Sequence, residues 1–78
     1  MNKKRRKRIQ KIINTLNTCA DELEEIKIEE DESRGNMPEN MHDGERFSVS
    51  KGYSDTMENA LDDIGGAKQN LENILEGG

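Results

Sequence analysis

Ile9-Gln10-Lys11-Ile12-Ile13-Asn14-Thr15-Leu16-Asn17-Thr18-Cys19-Ala20-Asp21-Glu22-Leu23-Glu24-Glu25-Ile26 is the stretch that decides the fold. Its apolar residues Ile9, Ile12, Leu16, Cys19, Leu23 and Ile26 recur in alternating steps of three and four, the spacing of a seam along one side of a helix. Ile13 and Ala20 widen the stripe on one flank. Leu, Glu, Lys and Arg fill much of the remaining positions and suit a helix. The pattern predicts a first helix over about residues 3–33. A second seam follows at Tyr53, Met57, Ala60, Ile64, Ala67, Leu71 and Ile74, flanked by Leu61 and Leu75. It predicts a helix over about residues 48–76, with Ser48, Ser50 or Ser54 as its cap and Gly77-Gly78 as its stop.

Residues 34–47 separate the seams. Gly35 and Asn36 tolerate the left-handed conformation that ends many helices. Pro38 pushes Met37 towards an extended conformation and suits the first position of a short helical turn. Folding the chain back here sets Ile26 against Tyr53, Leu23 against Met57, Cys19 against Ala60, Leu16 against Ile64, Ile12 against Ala67 and Ile9 against Leu71. The residue numbers in every pair add to 79 or 80. Two unrelated seams would not mirror each other about one turn. The expected fold is therefore all-α: an antiparallel two-helix coiled-coil hairpin, assembling into a four-helix bundle or larger oligomer. Gly65-Gly66, inside the second helix, costs roughly 1 kcal/mol per glycine relative to alanine. It reads either as a tolerated weak point or as a place where a partner backbone or anionic ligand approaches closely.

Composition narrows the function. With 78 residues, 29% hydrophobic and 37% charged, the chain forms one domain at most and has little material for a deep catalytic pocket. Its single cysteine, Cys19, excludes an internal disulfide framework and sits where a small apolar residue fits. One His and one Cys make no zinc set. Glu29, Glu30, Asp31 and Glu32 lack the alternate spacing and the glycine of a calcium loop. No phosphate-binding glycine loop is present. No apolar run approaches the roughly 20 residues of a membrane span, and no hydrophobic segment follows the basic start as in a signal peptide. The expectation is a non-enzymatic cytoplasmic protein with no cofactor and no metal.

Charge is segregated. Residues 1–13 carry seven positive and no negative charges, whereas residues 21–45 carry eleven acidic and two basic groups, within a net charge of −5. The run Lys3-Lys4-Arg5-Arg6-Lys7-Arg8 repels itself and opposes the dipole of the helix it begins. Contact with a nucleotide or nucleic acid would account for it. So would pairing with Glu72 and Glu76, which a hairpin brings to the same end. Lys4, Arg5, Arg6, Arg8 and Lys11 are the candidate ligand contacts, with Gly65 and Gly66 as contributors. Met37, Met41, Glu29, Glu30 and Asp31 form the candidate surface for a partner protein. The acidic middle is either a solvated helix end or a mimic of nucleic-acid charge.

Glu29-Glu30-Asp31-Glu32, then Asn36-Met37-Pro38-Glu39-Asn40, then Met57-Glu58-Asn59-Ala60-Leu61-Asp62-Asp63-Ile64 resemble short uncharacterised proteins encoded in phages and prophages of Gram-positive bacteria. Met1-Asn2-Lys3-Lys4-Arg5-Arg6-Lys7 is similar to their opening. The resemblance spans nearly the whole chain, and its most specific piece is Asn-Met-Pro-Glu. This chain departs from the group at Gly65-Gly66, where Glu and Ala are usual, and in the Ser-rich stretch from Phe47 to Ser54. The resemblance implies phage origin and a helical hairpin, and no particular activity. The functional expectation is a stoichiometric inhibitor of a host factor, such as a counter-defence protein that blocks a complex or sequesters a nucleotide signal. The alternatives are a nucleic-acid-binding accessory protein acting through the basic arm, and a structural or assembly adaptor. The expected partners are a second copy of the chain, in a homodimer or higher oligomer, and a host protein or nucleotide.

Overall fold

In the computed structural model, which describes residues 1–77, two helices fold back on each other and pack along their length. Helix α1 spans Lys3–Gly35, a single 3-10 turn spans Glu39–Met41, and helix α2 spans Glu45–Glu76. The hairpin is a rod of 59 × 15 × 13 Å. Among the described residues there is no strand, and no helix is long and apolar enough to cross a membrane.

The helix ends differ from the sequence expectation. Helix α1 is capped by Asn2, whose side chain accepts a 2.9 Å hydrogen bond from the Arg5 backbone N–H, satisfying one of the free donors of the first turn. It runs two residues past Ser33, and neither Gly35 nor Asn36 adopts a left-handed conformation. Its last carbonyls are taken instead by the Asn36 and Met37 N–H groups. Pro38 is extended and precedes the 3-10 turn rather than opening it. Helix α2 starts at Glu45, three residues before Ser48, with Gly44 at the cap position and no side-chain cap. None of the serines expected to cap it does so. Ser50 and Ser54 are buried against α1 instead. Gly77 follows α2 with ordinary right-handed backbone, and Gly78 lies outside the described residues.

The seam also moves. On α1 the side chains turned towards α2 are Arg6, Ile9, Ile13, Leu16, Ala20, Leu23, Lys27, Glu30 and Arg34, again in steps of three and four. On α2 they are Phe47, Ser50, Ser54, Met57, Leu61, Ile64, Lys68, Leu71 and Leu75. Three of the six residues of the first predicted seam and three of the seven of the second are retained: Ile9, Leu16 and Leu23 face the partner helix, as do Met57, Ile64 and Leu71. The others are displaced to the flank. Ile12, Ile26, Tyr53 and Ile74 are 50%, 46%, 60% and 41% exposed, and Cys19 and Ala67 are exposed too. Ile13, assigned to the flank, is the one buried apolar side chain among the described residues, at 3% exposure. Cross-helix contacts from Arg6 to Leu75, Glu30 to Ser50 and Arg34 to Phe47 fix the register. Their residue numbers add to 80 or 81, within two of the predicted mirror, while the polar contacts Asp31–Ser54 and Lys27–Glu58 reach one turn further along α2 and add to 85.

This shift sorts the two sides of the seam. One side carries Asp31 and Glu58, which meet the seam positions Ser54, buried, and Lys27, half-buried. The other brings Ser33 of α1 beside Arg46 and Tyr53 of α2 in one groove. Continued along the heptads, that second side carries Ile12, Cys19 and Ile26 on α1 and Tyr53, Ala60, Ala67 and Ile74 on α2. The predicted residue pairs that leave the seam therefore stay together, as an apolar face exposed at every position but the half-buried Ala60.

Candidate functional site

At the open end, the first three turns of α1 divide the basic run by direction. Arg6 occupies a seam position. It reaches across and donates from Nη2 to the Leu75 carbonyl in the last turn of α2, while its Nη1 is buried without a partner. A cation at a helix C-terminus meets the negative end of the dipole and an otherwise free carbonyl. Arg6 is thus a cap for α2 rather than a free ligand contact. Arg5 and Arg8 flank the apolar face and line a shallow groove with Met1, Ile9 and Ile12. Lys4, Lys7 and Lys11 follow one another in steps of three and four on the outside of α1, where neighbours lie about 5–6 Å apart at Cβ. All three are exposed. The pairing of the basic arm with Glu72 and Glu76 does not form: among the described residues the ion pairs are Lys27–Asp31, Lys27–Glu58 and Arg34–Asp31.

At the turn end, polar side chains replace apolar ones in the seam. Ser54 donates to Asp31 Oδ1 at 2.6 Å, and Ser50 donates to Glu30 Oε2 at 2.5 Å. Arg34 donates to Asp31 Oδ1 and to Ser54 Oγ, both at 2.8 Å. Lys27 Nζ lies 3.1 Å from Asp31 Oδ2 and 3.7 Å from Glu58 Oε2. The Ser54 hydrogen bond, followed by those from Arg34 and Lys27, holds the Asp31 carboxyl well below the usual carboxylate range. The Lys27 ammonium is pushed up in turn, chiefly by its hydrogen bond to Asp31. His42 is half-buried: it stacks on Phe47 with ring centroids 4.6 Å apart and donates from Nε2 to the Met37 carbonyl at 3.0 Å. The Arg34 guanidinium lies 6.0 Å from the centre of the Phe47 ring, within cation–π range.

Of the partner-protein candidates, Met37 and Glu30 come together in a groove with Val49 and Tyr53. Glu29 and Met41 are exposed outside it, and Asp31 is committed to the clamp just described. Gly65 and Gly66 are exposed in mid-helix with nothing near where a Cβ would stand, and they fall across from about residue 15, away from Arg5 and Arg8. The glycine backbone and the basic run do not form one site. No group of metal-ligating side chains occurs among the described residues.

The clamp is what sequence reading missed. Its signal was present: extending the steps of three and four upstream from Met57 reaches Ser54, Ser50 and Phe47, and downstream from Leu23 reaches Lys27, Glu30 and Arg34. Comparison of the chain with protein-family models, with curated proteins and with solved structures gives no match.

Proposed function

We propose that this chain is a non-catalytic binding protein that inhibits a host factor by occupying it, a counter-defence role in the phage setting that the sequence resemblance implies. The observation that carries the reading is the outer ridge Lys4, Lys7 and Lys11 at the end of a 59 Å rod, exposed and without an ion-pair partner among the described residues. Like charges held together at a helix N-terminus weaken that helix, so their benefit lies in an anionic partner. A convex ridge suits an extended anionic surface, such as the acidic face of a protein. It suits an enclosed mononucleotide less well, because Gly65-Gly66 stands apart from the charges. The protein acts in the bacterial cytoplasm on this reading.

Expression in bacteria carrying diverse defence systems, followed by phage challenge, tests the proposal. At least one system should be weakened by the wild type and not by Lys4→Glu/Lys7→Glu/Lys11→Glu. The proposal fails if no system is weakened and the purified protein binds no host protein, nucleotide or nucleic acid.

A second reading rests on the same ridge. Several closely spaced cations can neutralise several phosphates, and a nucleic-acid-binding accessory protein would use them without base readout.

A further inference from the structure

The hairpin exposes 6021 Å² of surface, whereas a compact monomer of 8.9 kDa exposes about 4,800 Å². The excess, roughly 1,200 Å², is larger than the about 800 Å² that each partner contributes to a standard interface. Much apolar exposure falls on one side, the face running through Ile12, Cys19 and Ile26 on α1 and through Tyr53 to Ile74 on α2. The opposite side carries Glu24, Asp31, Lys51, Glu58 and Glu72 at the equivalent positions.

From this asymmetry we infer that the apolar face binds a second copy of the chain, and that the two hairpins lie antiparallel, with their turns at opposite ends. Two arrangements are compatible with a two-fold axis in the plane of the face. If the axis runs along the rod, both seven-cation ends lie at the same end of the bundle. If it runs across the rod, the cationic end of each hairpin lies over the acidic segment of the other. Charge complementarity selects the second. In that arrangement α1 packs against α1 and α2 against α2. The axis passes beside Cys19, the midpoint of Lys3–Gly35, and beside Ala60, next to the midpoint of Glu45–Glu76. Ile12 then meets Ile26 of the partner subunit. Tyr53, the largest side chain on the face, meets Ala67 of the partner subunit, a small residue that leaves room for it. Arg8 comes to the level of Glu29 and Glu30 of the partner subunit. Lys4, Lys7 and Lys11 point away from this face, so the dimer uses none of the charges on which the proposed function depends.

Light scattering on the full chain at micromolar concentration should give twice 8.9 kDa. Ile12→Asp/Tyr53→Asp, both at positions exposed in the single hairpin, should give the monomer with helicity retained, dimerising at least roughly tenfold more weakly. Orientation is read by disulfide formation in a Cys19→Ser background under mild oxidation. Ile12→Cys mixed with Ile26→Cys should form the mixed dimer, and neither should pair with itself. A monomeric wild type, a dimer indifferent to Ile12→Asp/Tyr53→Asp, or a dimer lacking the Ile12–Ile26 cross-link would each overturn the inference. Those results leave the lysine ridge untouched, and failure of binding at the ridge leaves the dimer untouched.

Discussion

Ser54 of α2 donates a 2.6 Å hydrogen bond to Asp31 of α1, and the same carboxylate oxygen accepts from Arg34 at 2.8 Å. The hairpin is thereby pinned by charge-assisted bonds beside its turn, where apolar seam residues give way to serines and charges. Apolar burial alone would leave the register loose here, because the one buried apolar side chain among the described residues, Ile13, lies towards the open end.

The acid dependence of stability follows from that carboxylate. Its folded pKa lies below the unfolded value of about 3.9, so its contribution is complete above that value. It is lost as pH falls below about 4 towards the depressed folded value. Thermal melts between pH 7 and pH 2 should show a fall in midpoint that Asp31→Asn makes shallower, with a lower midpoint for the variant at neutral pH. Superimposable acid profiles for the two proteins would refute the role given to Asp31.

Ile13 and Ile12 are neighbours in sequence with opposite fates. Ile13→Ala should cost about 2–4 kcal/mol, as for other buried aliphatic truncations. Ile12→Ala should cost under about 1 kcal/mol in the single hairpin, because the side chain is half in water. Urea unfolding at concentrations low enough to suppress self-association separates them. A larger cost for Ile12→Ala than for Ile13→Ala would place the seam where the raw periodicity puts it, and equal costs would refute the contrast drawn here.

That contrast shows what the sequence conceals. The hairpin was legible because Ile9, Leu16 and Leu23 mirror Leu71, Ile64 and Met57 about the turn, and these residues hold the interface in the structure. The polar seam positions Lys27, Arg34, Ser50 and Ser54 lie on the same steps of three and four, but a pattern read from apolar residues alone skips them. They are satisfied by one another, a pairing visible only once the helices are set side by side. The more apolar neighbours Ile12, Cys19 and Ile26 drew the predicted seam onto the flank. At the open end the cluster of cations was plain in the sequence. The inward turn of Arg6 was not, since it depends on where the last turn of α2 ends.

Gly65 and Gly66 have room for a side chain and ordinary helical backbone. Gly65→Ala and Gly66→Ala should each stabilise the hairpin by about 0.5–1 kcal/mol, read as a higher melting midpoint. If instead either change left stability unaltered while abolishing binding to a target, the glycines would belong to the functional surface.

The nucleic-acid reading has a distinct signature. Duplex binding through Lys4, Lys7, Lys11 and their neighbours should weaken with salt along a log–log slope of about −3 to −5, at roughly 0.9 per phosphate neutralised. Fluorescence anisotropy with labelled duplex and single-stranded oligonucleotides across a salt series measures it. Absence of binding at low salt eliminates that reading and leaves an anionic protein surface as the target.

Affinity capture from a bacterial host lysate, run with and without nuclease treatment, compares the wild-type chain with Lys4→Glu/Lys7→Glu/Lys11→Glu and tests the working surface most directly. The wild type should retain a defined partner, and the variant, still fully helical by circular dichroism, should lose it. Retention of the same partner by both proteins, or of nothing by the wild type, would contradict the assignment of the lysine ridge as the binding surface.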